Sequence, residues 1–252
     1  MHRKQDTGAG RQRRRAAAGR RAVAAAHAER GPQRRPPPAP RLIIDDQDVR
    51  AGVRALRRRC PTMRMVHDAA GDPPLRRRPA GFEGLARIIV GQQLSVASAS
   101  AIWLRTLELC QPFEPLALAQ LDDAAFAAAG LSRPKIRTLR AIATACTNGL
   151  DLGGLDAHSD EEIRSALTAV SGIGPWTADI YIMFCLGRSD GFAAGDLALQ
   201  IGAQKALGLP QRPSAEELLA IAERWRPWRG VAARLLWHYY AHLKGLAKAT
   251  PV

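Results

Sequence analysis

Between Leu42 and Leu243 the apolar residues of this chain recur with the period of a helix almost throughout. Ile163, Ala166, Leu167 and Val170 stand at i, i+3, i+4 and i+7, the spacing of one buried helix face. Ser159 and Glu162 precede that run as a capping box, each side chain satisfying a backbone N–H that the first helical turn leaves unpaired. Ser95 heads a second face made of Val96, Ala99, Trp103, Leu107 and Cys110, and a third reads Ile136, Leu139, Ile142, Ala143 and Cys146. Ser214 with Glu217 forms another capping box before Leu218, Ile221, Ala222 and Trp225. Pro227, which has no N–H to donate, stops that helix, and Val231 to Leu243 is predicted as the last one. No alternating strand-like run is joined by an Asn-Gly or Asp-Gly turn, so the pattern predicts an all-α fold.

Chemistry concentrates where two of these helices meet. The segment Ser171-Gly172-Ile173-Gly174-Pro175 separates the Ile163 helix from one that begins at once with Trp176, Thr177 and Ala178. Two glycines around one apolar residue let the backbone turn tightly and expose bare N–H groups at a helix start, which is an anion-binding arrangement. Twenty residues beyond Trp176, Asp196 stands ahead of Leu197, Leu199, Ile201 and Ala203. An isolated aspartate there reads first as a helix N-cap. A cap and a catalytic carboxylate are compatible, because the helix dipole favours negative charge at that end.

Gly172-Ile173-Gly174-Pro175-Trp176-Thr177-Ala178-Asp179, then Gly187-Arg188-Ser189-Asp190-Gly191-Phe192 and Gly195-Asp196, resembles the helix-hairpin-helix DNA glycosylase superfamily, in its 3-methyladenine DNA glycosylase II branch. Phe82 to Ser95, Gly130-Leu131-Ser132 with Lys135, and Trp225-Arg226-Pro227-Trp228-Arg229 with Leu236-Trp237 fit the same branch in the same order. The resemblance covers roughly residues 42 to 246.

The resemblance implies two helical lobes around a central base-binding cleft, with lobe A at about residues 86 to 187 and lobe B at about 42 to 85 plus 188 to 252. It implies a monofunctional enzyme that excises alkylated bases, 3-methyladenine and also 7-methylguanine, from damaged double-stranded DNA by hydrolysis of the N-glycosidic bond. Asp196 would be catalytic, and Trp176 and Trp237 would line the base pocket. Gly172, Ile173, Gly174 and Thr177 would hold the backbone, and Gln92, Gln93 and Leu94 would form the wedge loop, with either Gln93 or Leu94 inserted. Trp176 occupies the place of the nucleophilic lysine in related lyases, so no Schiff base is expected. Ile180 replaces a tyrosine of well-known bacterial members, and the small sheet domain that some members carry in front is expected to be missing. No metal or other cofactor is expected, apart from a structural monovalent cation at the hairpin carbonyls. A monomer is expected.

Composition narrows this only in part. The formal charge is +14, but residues 1 to 41 hold twelve Lys or Arg against Asp6 and Glu29, so +10 of it belongs to that segment. Rich in Arg, Ala, Gly and Pro, it reads as a disordered basic tail that tethers to DNA, ahead of the domain at 42 to 252, or less readily as a targeting segment. Cys60, Cys110, Cys146 and Cys185 are widely spaced and read as buried free thiols; with no cysteine after Cys185, an iron–sulfur cluster is not expected. His238 and His242 at i, i+4 lack a third ligand and read as ordinary histidines. No apolar run is long enough to span a membrane, and a cytoplasmic, nucleoid-associated site is expected for a bacterial protein. Two rivals come from other classes. A noncatalytic helix-hairpin-helix DNA-binding module would have no use for Asp196, and a glycosylase/lyase for oxidised bases would need the missing lysine.

Overall fold

Helices account for the regular structure of residues 40–245, which are those the computed structural model describes. The tail expectation for residues 1 to 41 therefore lies, except for Pro40 and Arg41, outside the described residues. In chain order the helices are α1 (Asp46–Arg59), α2 (Pro61–Ala70), α3 (Phe82–Gly91), α4 (Val96–Leu107), α5 (Pro115–Ala119) and α6 (Asp123–Ala128). They continue with α7 (Arg133–Thr147), α8 (Asp160–Thr168), α9 (Pro175–Phe184), α10 (Leu197–Leu207), α11 (Ala215–Ala222) and α12 (Arg229–Leu243), with short 3-10 turns at Gly154–Ala157 and Glu223–Trp225. Among the described residues no strand forms, and the only β-like pairing is a single antiparallel bridge between Leu42 and Arg188. The fold is all-α.

The capping signals lie where the polar pattern puts them. Ser95 accepts a hydrogen bond from the Ser98 amide, and both capping boxes, Ser159 with Glu162 and Ser214 with Glu217, are closed. Boundaries shift where local chemistry intervenes. α4 ends at Leu107, a few residues before Pro112, which disfavours helix at the residue it follows. Cys110 thus falls beyond the helix and is only half-buried, as is Cys146, while Cys60 and Cys185 are buried as expected. Val96, in the first turn of α4, is 51% exposed and not part of the buried face. Burial pushes the Cys185 thiol up to about 12, which leaves it inert.

Packing sorts the helices into two groups. α3 packs against α4, α7 and α9, α5 and α6 lie on α7, and α8 packs on α9; α12 packs on α10, α2 and α1. The chain crosses between these groups from α2 to α3 and again from α9 to α10, and at the second crossing Ile43 N–H donates to Gly187 O at 2.7 Å and Ser189 N–H to Arg41 O at 2.9 Å.

α12 is approached on three sides by backbone that tolerates no side chain. A Cβ on Gly202 of α10 would lie 2.6 Å from Leu236 O, and one on Gly52 of α1 would lie 2.6 Å from Val231 Cγ2. A Cβ on Gly230 itself would lie 2.8 Å from Ser189 O. Arg234, also on α12 and only 2% exposed, donates to Gly230 O and Met183 O at 2.9 and 3.0 Å and to Leu75 O at 3.4 Å, with its guanidinium 4.7 Å from the Phe184 ring centroid. Burial, and secondarily Arg77, lowers its pKa to about 9. Backbone carbonyls and an aromatic face thus do the work of a carboxylate, fastening the end of α9 to α12.

The close approach of α10 to α12 generates a test. Gly202→Ala should lower stability by about 1–3 kcal/mol through overpacking against the Leu236 carbonyl, read as a lower urea midpoint with an unchanged slope. A wild-type midpoint would mean that the two helices have room to part.

Candidate active site and hairpin

The turn between α8 and α9 uses its two glycines for different reasons. Gly172 sits at φ +87°, a left-handed conformation, and a Cβ there would lie 2.0 Å from Thr138 Oγ1 of α7. Both the backbone angle and the close packing exclude a side chain. Gly174, the N-cap of α9 at φ −92°, has nothing within 4 Å of an added Cβ, so its bareness serves no internal contact. No side chain caps α9, and Pro175 occupies its first turn. Ser171, Gly172, Gly174 and Pro175 are exposed, whereas Ile173 and Thr177 are 5% and 2% exposed. The side chains of Ile173 and Thr177 therefore face the interior. Ile173 anchors the turn in the core, and the Thr177 hydroxyl is turned inward to accept from Gln92 Nε2 at 2.9 Å.

That hydrogen bond separates the three residues of the α3–α4 loop. Gln92, half-buried, ties the loop to the hairpin helix. Gln93 is exposed at φ +57°, a conformation a non-glycine residue adopts only under local constraint. Leu94 is half-buried and donates its N–H to Gly91 O at 3.3 Å. From α7, Lys135 Nζ donates to Val90 O at 2.6 Å, so the end of α3 is braced from behind; burial lowers the lysine's pKa.

Asp196 caps α10, its Oδ1 accepting from Leu199 N–H at 2.8 Å. The same oxygen accepts from Trp237 Nε1 at 2.8 Å, and Oδ2 accepts from Trp176 Nε1 at 2.8 Å. Three donors from α9, α10 and α12 thus converge on one carboxylate that is 7% exposed. The loop leading to it is pinned by Gln200 Nε2, which donates to Ala194 O at 2.9 Å. Trp237 is fully buried, with its ring centroid 5.8 Å from that of Phe184. Its N–H reaches Asp196 while its ring packs in the core. Trp176 is half-buried and keeps part of its ring accessible. Leu197, 55% exposed, and Gly195, exposed, flank Asp196 at the surface. Leu197 escaped the sequence reading because it follows the helical pattern as an ordinary apolar residue.

A cavity of about 680 Å³ opens beside Trp176 between α8, α9, the 190–195 segment and α11. Most of its charged lining is paired: Arg164 Nε donates to Asp179 Oδ1 at 2.9 Å, while Asp190 takes Arg226 and, at 3.0 Å, Arg229. Burial raises the Asp179 pKa, and Arg164 opposes the shift. Asp196 does not line this cavity, although its neighbours Trp176 and Gly195 do. Among the described residues no group of three or more His, Cys, Asp or Glu could hold a metal ion, and no helix is long and apolar enough to cross a membrane.

Comparison with known proteins matches this arrangement. The chain is 33% identical over 161 residues to DNA-3-methyladenine glycosylase 1 of Schizosaccharomyces pombe, covering 62% of this chain and 71% of that protein. A crystal structure of a DNA-3-methyladenine glycosidase from Bacillus halodurans superposes with a TM-score of 0.67 at 31% identity, covering 77% of this chain and 91% of that one. The 3-methyladenine DNA glycosylase of fission yeast in complex with abasic DNA superposes with a TM-score of 0.70 at 28% identity, covering 79% and 99%. Residues 86–227, which include the hairpin, Trp176 and Asp196, match a family model, and the chain belongs to the HhH-GPD superfamily of base excision DNA repair proteins.

Proposed function

We propose that this protein is a monofunctional DNA glycosylase of base excision repair that hydrolyses the N-glycosidic bond of alkylated purines, 3-methyladenine and 7-methylguanine, in duplex DNA. The observation that carries the reading is the convergence of Trp176, Trp237 and Leu199 on Asp196. A carboxylate fixed by three donors is a preorganised negative centre, and it needs no reorganisation as positive charge develops on the sugar. Relatives of similar length named for 3-methyladenine excision support the substrate class.

In this reading the exposed turn at Gly172 and Gly174 takes a backbone phosphate on the open start of α9, where bare amides and the helix dipole both favour an anion. The hairpin carbonyls would hold a monovalent cation, which would supply positive charge beside that phosphate. Gln93, exposed and held in a left-handed conformation, enters the duplex where the lesion leaves it, and Gln92 keeps that loop in register with the hairpin. The extruded nucleotide meets Asp196 past Gly195 and Leu197, with the accessible part of the Trp176 ring beside the base. An alkylated purine is cationic, so the electron pair of the C1′–N bond leaves with a neutral base. Water adds to C1′ and gives its proton to Asp196 or to solvent. Little acid catalysis is required, which fits a site with no titratable side chain other than Asp196 hydrogen-bonded at its centre. The protein works as a monomer.

Chromatography of the bases released from methylated duplex DNA tests the assignment directly: 3-methyladenine and 7-methylguanine should appear, and release of neither would end it. Borohydride should trap no covalent adduct during turnover, because the position after the hairpin is Trp176 and an indole forms no Schiff base. A stoichiometric adduct would require an amine elsewhere and would make the enzyme a lyase.

Asp196→Asn tests the carboxylate. Oδ1 already serves two donors, so the amide nitrogen would replace Oδ2 and face the Trp176 N–H. That donor–donor conflict should cost about 1 kcal/mol of stability. Single-turnover excision should fall about a hundredfold or more, most for 7-methylguanine, whose bond is the less labile. A well-folded variant with wild-type rates on both lesions would reduce Asp196 to a helix cap.

The two hairpin glycines should respond differently. Gly172→Ala, strained at positive φ and crowded by Thr138, should be destabilised by about 1–3 kcal/mol. Gly174→Ala should stay within about 1 kcal/mol of wild type yet bind duplex DNA more weakly, since its Cβ meets only what docks from outside. Equal DNA affinity for folded Gly174→Ala in an anisotropy titration would place the phosphate elsewhere.

A further inference from the structure

The last turn of α3 ends in carbonyls that a helix leaves without intrahelical partners. Ile89 O accepts from Gln92 N–H and Gly91 O from Leu94 N–H, both at 3.3 Å, so the loop itself serves two of them. Val90 O is served from another helix. Lys135 of α7 donates to it through Nζ at 2.6 Å, and among the described residues no carboxylate pairs with that ammonium. Burial lowers the lysine's pKa, with no counter-charge to oppose the shift. A cation at a helix C-terminus is favourable in itself, so the contact would be ordinary bracing anywhere else in the fold. Its consequence comes from the loop that starts there.

α7 also touches the hairpin. Thr138, one turn after Lys135, packs against Gly172, where an added Cβ would lie 2.0 Å from Thr138 Oγ1. That hydroxyl donates to Pro134 O at 3.0 Å, which fixes its direction. One turn of α7 therefore meets both the start of the wedge loop and the exposed turn of the hairpin. The circuit is closed by Gln92, whose Nε2 donates to Thr177 Oγ1 in the first turn of α9 at 2.9 Å. Gln93, exposed at φ +57°, directly follows Gln92 and is carried by these ties.

We propose that Lys135 is a positioning residue for base extrusion: by holding Val90 O it fixes where Gln93 stands relative to the hairpin, so that seating the DNA backbone on Gly172 and Gly174 carries Gln93 into the duplex. This rests on the glycosylase reading and on Gln93 as the inserted residue. A loop free to yield would let the hairpin bind DNA without displacing the lesion. Lys135 acts through the carbonyl and not on the DNA, since it is half-buried under the loop while Arg133 and Arg137 of the same helix are exposed.

Three variants of the full chain make the test. Lys135→Met keeps the length of the side chain without a donor, Lys135→Gln keeps a neutral donor, and Arg137→Gln removes an exposed charge from the same helix. Insertion is read from the fluorescence of a 2-aminopurine placed beside an abasic-site analogue, and affinity for undamaged duplex from anisotropy over a range of salt, at a temperature where each variant is fully folded. In Lys135→Met the insertion signal and single-turnover excision should fall about tenfold, the order of one hydrogen bond from a charged donor, while undamaged-duplex affinity and its salt slope stay as in wild type. Lys135→Gln should recover most of both, and Arg137→Gln should leave insertion unchanged. Should Lys135→Met fail to fold, Lys135→Ser, which leaves room for water on Val90 O, is read in the same way. A wild-type insertion signal in folded Lys135→Met overturns the proposal, as does no signal from the wild-type protein itself. A salt slope shallower by about 1 in Lys135→Met and Lys135→Gln alike would make the lysine a phosphate contact, and an equal loss in Arg137→Gln would reduce the effect to net charge; either overturns it. Insertion and binding need no base release, and base release by the wild-type protein is scored separately, so failure of this proposal and failure of the glycosylase reading are distinguishable.

Discussion

One carboxylate sets the terms for the rest of the molecule. Asp196 accepts from Leu199 on its own helix, from Trp176 on α9 and from Trp237 on α12, each at 2.8 Å. Hydrogen bonds of that length to two rigid indoles tolerate displacements of only a few tenths of an ångström before they weaken. Three helices from two packing groups must therefore be held in register. The glycines that bring α1, α10 and the 188–191 segment against α12, and Arg234 bonded to the end of α9, supply that register. The core is built to aim the Asp196 carboxylate.

Burying this group carries a cost that the arrangement answers with neutral donors. A cationic partner would neutralise the negative charge that a developing sugar cation is meant to meet. Indole and amide N–H groups orient the carboxylate without cancelling it. The protein places its cations elsewhere. Arg226 and Arg229 are engaged with Asp190 and Glu223, and Arg164 with Asp179.

The link between gripping and chemistry is short. Thr177 lies one residue after Trp176, so the hydrogen bond from Gln92 couples the wedge loop to the helix that also orients Asp196. A force on the loop reaches the carboxylate through one helical turn of α9. Lys135, donating to Val90 O, braces the end of α3 from which the same loop leaves.

Much of this was legible in the sequence because it depends on local chemistry. Ser95, Ser159 and Ser214 marked helix starts, since capping involves residues three apart in the chain. The hairpin and Asp196 were legible from Gly172, Gly174, Trp176 and the helix start at Leu197, a short-range pattern shared with a known family. Side-chain direction was not legible. Trp237 reads as a pocket aromatic in the sequence, and only the docking of α12 on α10 turns its ring into the core and its N–H toward Asp196. That the Thr177 hydroxyl turns to Gln92 follows only from packing against the α3–α4 loop. That Gln93 is exposed at positive φ while Leu94 is half-buried is likewise visible only in the structure. Sequence determined the helices, their capped starts and the position of Asp196 at one of them, because those are set by neighbours in the chain. Which face each residue turns to the site was decided by contacts between residues tens of positions apart, and only the tertiary structure contains them.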